Sequence, residues 1–122
     1  MVAHVVLFKP KPGLDAPARQ RLADAFQHAL RDIPSIRRAH IGKRVTHGRP
    51  YELLMTVDYE YAAILEFDAL EDLKAYLAHG AHDALGALFF EAFDVALMYD
   101  YEMTGDAATL LAGPDASGDA QA

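Results

Sequence analysis

Residues 2–8, VAHVVLF, hold a single polar side chain, His4. Side chains alternate across a strand, so Val2, His4, Val6 and Phe8 share one face and Ala3, Val5, Leu7 and Lys9 the other. Both faces are apolar. A strand of that kind must be covered on both sides, which excludes a sheet with one face open to water. The breaker cluster Pro10-Lys11-Pro12-Gly13 closes it.

The other elements follow from periodicity. Asp15 is placed to cap a helix over residues 16–32, with Pro17 in its first turn and Leu22, Phe26, Ala29, Leu30 and Ile33 on its apolar face. Arg19, Arg21, Asp24, Gln27 and Arg31 occupy most of the opposite face, and Pro34 stops the helix. Residues 35–46 alternate as an edge strand, with a bulge expected at Gly42. Residues 51–58 fit either a strand extension or an irregular connection. Residues 59–68 read as a strand with Tyr61, Ala63, Leu65 and Phe67 on one face. Asp68 is the expected cap of a helix over 70–79, whose inward stripe is Leu70, Leu73, Tyr76 and Leu77. A break at Gly80 and a further helical piece over 82–90 come next. Residues 93–102 form the last strand, with Val95, Leu97, Tyr99 and Tyr101 alternating against Ala96, Met98 and Asp100. From Thr104 the chain turns to Gly, Ala, Asp and Ser, so residues 1–103 read as one domain and 104–122 as a flexible acidic tail. Within the tail only 107–112 could form a short helix.

Strand, helix, two strands, helix, strand is the split βαβ order of a ferredoxin-like α+β sandwich, with four antiparallel strands and both helices on one face. The second face would carry Val5, Leu7, Ile64, Ala96 and Met98, and a twofold homodimer, sheet against sheet, is its simplest cover.

Composition limits the function. Eleven basic against 18 acidic residues leave a net charge of -7, which disfavours nucleic acid as a partner. The cluster Arg37, Arg38, Lys43, Arg44 and Arg49 reads as a solvated strand edge. There is no cysteine, hence no disulfide, thiolate nucleophile or Cys-ligated metal. No run approaches the roughly 20 apolar residues of a membrane span, and the N-terminal charges fall in the wrong order for a signal peptide. A cytoplasmic protein is expected.

Chemistry concentrates in FDALEDLKAYLAHGAH, residues 67–82, where Tyr76, His79 and His82 flank a helix break beside an apolar stripe. An imidazole titrates near neutrality and suits a general base, and a tyrosine hydroxyl can donate to a developing enolate. A core role for His4 and His82, each bonded to backbone, is the competing reading. His79 is expected to face solvent, and His28, His40 and His47 to lie on the surface. A zinc site of His4, His79 and His82 is the alternative use of the same residues, but no carboxylate stands out to orient them. No metal or cofactor is expected.

Three segments in order, VAHVVLFKPKPG, DYEYAAILEFDALEDLKAYLAHGAH and LMYDYE, resemble the stress-responsive A/B barrel domain family of dimeric α+β barrels. Gly80 departs from that family's usual proline. The resemblance implies a pocket between helices and sheet, and an intramolecular aldol condensation of the kind run by the family's plant polyketide cyclase. It further implies His82 as general base with Tyr76 and His4 in support. Phe26 stands where that cyclase has a pocket tyrosine, and Val6 and Leu73 are expected beside it as substrate contacts. A small hydrophobic carbonyl compound is the implied ligand. The alternative from another class is a stable dimeric module without turnover. A cavity of roughly 300 Å3 or more beside His4, Tyr76, His82 and Phe26 favours the first, and side chains filling that space favour the second.

Overall fold

The computed structural model describes residues 1–116. Its elements are β1 (Val2–Pro10), α1 (Ala16–Asp32), β2 (Arg38–Lys43), a short 3-10 turn (Pro50–Leu54), β3 (Tyr61–Phe67), α2 (Leu70–Ala78), α3 (Gly80–Ala92), β4 (Phe93–Glu102) and α4 (Ala107–Ala116). The strands form one antiparallel sheet in the order β2-β3-β1-β4, as the split βαβ pattern requires. The helix expected over 107–112 is α4, and residues 117–122 of the expected tail fall outside the described residues.

The two centre strands are the apolar ones. Val2, His4, Val6 and Phe8 of β1 lie under the helices with Ala63, Leu65 and Phe67 of β3, and all are buried. Phe8 is the hub of this layer, with ring centroids 6.0 Å from Phe26, 5.6 Å from Tyr61, 5.5 Å from Phe89 and 4.6 Å from Phe93. Such aromatic pairs add to what area burial alone contributes.

Four local expectations give way to tertiary structure. β2 is shorter than 35–46, and its register with β3 is continuous through Gly42, so no bulge lies there. The irregularity falls instead at Lys9/Pro10, where proline cannot donate to the ladder. Asp68 does not cap α2. Ala69 holds that position without a side-chain bond, and Asp68 pairs with the Arg37 guanidinium across the turn. Leu73 and Tyr76 are buried as expected, whereas Leu70 and Leu77 are exposed.

β4 also departs from expectation in phase. Ala96 pairs with Phe8, Met98 with Val6 and Asp100 with His4, so these three lie on the helix face. The open face is made instead by Val5 and Leu7 of β1, Ala62 and Ile64 of β3, and Leu97, Tyr99 and Tyr101 of β4. Beside it a hollow of ≈740 Å3 runs between Leu7, Ala62 and Leu97 and the connection at Leu54 and Met55.

The break between α2 and α3 sits at His79 rather than Gly80. His79 has extended backbone (φ -75, ψ 143), closes α2 and caps α3. Its Nδ1 accepts from the Ala81 amide at 3.0 Å, so the ring is half-buried in a cap rather than turned to solvent. Gly80 is therefore the first residue of α3, where proline is preferred, and His79 already has the backbone that a residue before proline adopts. An added Cβ at Gly80 meets nothing within 4 Å. Gly80→Pro is expected to raise stability by about 0.4–1 kcal/mol through the unfolded chain, read as an increase of a few degrees in thermal midpoint.

Candidate active site

β1 and β3 turn His4, Val6, Ala63 and Leu65 upward, and the α2–α3 corner lowers Tyr76 and His82 onto them. A cavity of ≈260 Å3 lies between, lined on its other sides by Phe26, Leu85, Gly86, Phe89, Phe90 and Met98. It is only slightly smaller than the roughly 300 Å3 at which small-molecule sites begin. Of the residues singled out from the sequence, His4, Val6, Phe26, Tyr76 and His82 line it. Leu73 does not; one turn before Tyr76, it is buried in the core instead. Phe90 contributes to the rim although it is 80% exposed.

The polar groups converge. The Tyr76 ring stands between the two imidazoles, 5.8 Å from His4 and 4.8 Å from His82 between centroids. The His4 Nδ1 and Asp100 Oδ1 are 2.6 Å apart. Sequence reasoning did not single out Asp100, and it is the carboxylate that orients a site histidine. With Nδ1 donating to Asp100, the His4 Nε2 is left as the free nitrogen.

Burial sets the protonation of this group. Desolvation lowers the His82 pKa, and nearby His4 lowers it further. Asp83 and a loose contact with the Leu77 carbonyl act the other way without reversing it. The His82 Nδ1 is buried and has no well-formed hydrogen bond. A neutral imidazole with its proton on that side leaves Nε2 as the basic nitrogen. Burial pushes the Tyr76 hydroxyl up to about 12, so it stays a donor at any ordinary pH.

A histidine whose pKa is lowered by folding takes up its proton more readily in the unfolded chain, so His82 contributes stability that falls as pH drops below its unfolded value of about 6.5. Any reaction using neutral His82 should hold its rate below pH 6.5, past the point where an ordinary histidine would be half protonated. A pH–rate profile checks this, and an acid limb at or above pH 6.5 would contradict it.

His28, His40 and His47 lie on the surface, and His47 bonds Tyr51 in the connection after β2 at 2.7 Å. Among the described residues no three His, Cys, Asp or Glu side chains gather as a metal site, and His79, committed to its cap, does not join His4 and His82.

A family model described as Stress responsive A/B Barrel Domain matches residues 2–103. Olivetolic acid cyclase from Cannabis sativa is 22% identical over 100 residues, which cover 82% of this chain and 94% of that protein. Stress-response A/B barrel domain-containing protein HS1 from Arabidopsis thaliana is 27% identical over 105 residues, covering 84% of this chain and 90% of that one. Among solved structures, a dimeric protein of unknown function with a ferredoxin-like fold from Bacteroides fragilis superposes with a TM-score of 0.60 at 27% identity, over 84% of this chain and 95% of the other.

Proposed function

Because the chain belongs to the stress-responsive A/B barrel family, we propose that it is a homodimeric, cofactor-free acid–base catalyst acting on a small hydrophobic carbonyl compound. Residues 2–103 are the working unit in this reading, and residues 104–122 an appendage to it. The observation that carries the proposal is the pairing of a neutral, desolvated His82 with a protonated Tyr76 in one apolar cavity.

The chemistry is proton abstraction beside a carbonyl. His82 Nε2 takes a proton from the α-carbon, and the C–H electron pair moves onto the carbonyl oxygen. Tyr76 donates a hydrogen bond to that enolate oxygen. In a substrate with a second carbonyl, the enolate carbon closes on it, and the alkoxide formed recovers the proton from the His82 imidazolium. With Asp100 holding the His4 ring at Nδ1, its Nε2 is the second polar contact for the ligand. Asp100→Asn removes the charge that fixes the His4 ring and should lower kcat about tenfold, at the low end of what a group orienting a site histidine contributes. An unchanged kcat would leave the Asp100 charge without a part in the reaction.

The homodimer rests on the open sheet face. Leu97, Tyr99 and Tyr101 of β4 are exposed in the single chain, and Ile64 of β3 is exposed across Val5 from Tyr99. An apolar surface of this kind is unusual for a monomer and gains roughly 25 cal/mol per Å2 on being covered. The dimeric Bacteroides fragilis protein supports a second copy as the cover.

The ligand class is tested by mass spectrometry of small molecules released from the purified protein, followed by displacement with polyketide-like carbonyl acids. Release of a carbonyl compound that those acids displace is expected. A cavity that neither retains nor binds any such compound favours the non-catalytic module.

A further inference from the structure

A second cavity, of ≈330 Å3, opens at the other end of the sheet, where β1 ends at Phe8 and Pro10 and β4 begins at Phe93. Phe26 is the one side chain that lines both cavities, so the two are neighbours separated at that ring. The wall of the second is apolar: Phe8, Leu22, Tyr61 and Phe93. Its rim is not. α1 places Arg19, Ala23 and Gln27 over the opening at intervals of four residues, the spacing that puts side chains on one helix face.

Arg19 is the one arginine that lines this cavity; like Arg21, Arg38 and Arg49 it has no carboxylate partner among the described residues. Arg31, Arg37 and Arg44 each hold a carboxylate. Among the described residues none lies within ion-pair distance of Arg19, whose Nε is bonded only to the Leu14 carbonyl at 3.3 Å. The outer edge of its guanidinium fork is therefore free. Its place matters more than its lack of a partner: a cation at the mouth of an apolar hollow can meet the anionic end of a molecule whose other end is apolar. A guanidinium matches a carboxylate in geometry and charge, and the Gln27 amide adds a neutral donor.

From this juxtaposition we infer that the second cavity binds an amphipathic carboxylate. Its acyl chain lies against Phe8 and Phe93, and its head group bonds Arg19 at the rim. The inference stands apart from the acid–base reading, because it uses neither histidine.

Titration calorimetry of the full chain with decanoate and with decan-1-ol at pH 7 tests it. The wild-type protein should bind decanoate at least about tenfold more tightly than the alcohol, the factor expected of one charge-assisted bond. Arg19→Gln should remove that advantage by weakening decanoate alone. Ala23→Phe, at an exposed rim position, should weaken both probes. His82→Ala, which alters the neighbouring cavity, should leave decanoate binding within about twofold. The inference is overturned by absence of decanoate binding, by equal affinity for acid and alcohol, by indifference to Arg19→Gln or to Ala23→Phe, or by a loss at His82→Ala that shows the probe sitting in the other cavity.

Discussion

Leu97→Asp should convert the protein from dimer to monomer at micromolar concentration. Leu97 sits opposite Leu7 in the β1–β4 ladder, midway along β4 on the open sheet face. In the single chain it is 36% exposed, enough for an aspartate there to reach water, so the fold should survive. In a face-to-face dimer the same position is covered. Dimerisation can bury only the third of Leu97 left exposed, about 0.5–1 kcal/mol, and an unpaired carboxylate in its place costs about 2 kcal/mol or more. Twofold symmetry applies both terms twice. A shift in dissociation constant of at least about a thousandfold follows, since each 1.4 kcal/mol is a factor of ten. Sedimentation equilibrium checks it, with circular dichroism to confirm the fold. A variant that remains dimeric would mean that the twin copy docks elsewhere.

His82→Ala carries the second large effect. Removing the base should lower turnover by about 10²- to 10⁴-fold, the usual contribution of a positioned acid–base group. Stability should change little by comparison, because His82 is only half-buried and its Nδ1 has no good hydrogen bond to lose. The loss should fall on kcat more than on KM, since proton abstraction belongs to the transition state. Tyr76→Phe, which retains the ring and removes the donor, should leave the cavity shape intact and lower kcat alone. If His82→Ala retains wild-type turnover, the base is another group, with His4 the nearest candidate.

Much of the architecture was legible in the chain. The double-sided apolar pattern of 2–8 specifies a centre strand, and β1 is one. Asp15 caps α1 as its sequence position suggests, accepting from the Ala18 amide at 2.9 Å. What failed were local rules that a distant residue overrode. Asp68 looks like a helix cap until Arg37, 31 residues away, claims it. β4 is apolar at both alternations through Val95, Ala96, Leu97 and Met98, so periodicity cannot choose its phase. Only pairing with β1 decides it, and that pairing brings Asp100 to His4. Setting Asp100 with Ala96 and Met98 on the face meant for a second copy concealed the carboxylate that holds His4. The signal that could have found it is the shared parity of Asp100 with Ala96 and Met98, once those two are assigned to the helix face. His79 was misplaced for a related reason: a glycine next to a break invites the break, while the histidine makes it and bonds its own corner.

Proton loss from the α-carbon of a carbonyl compound can be watched directly. Proton NMR in deuterium oxide, with a panel of β-dicarbonyl acids at neutral pH, follows the α-hydrogen signal with and without protein. Exchange of at least one panel member should proceed faster than buffer alone, in proportion to protein concentration, and fall to the buffer rate in His82→Ala. Exchange at the buffer rate for every member of the panel, with the protein folded and dimeric, would contradict the catalytic account and leave a stable module in its place.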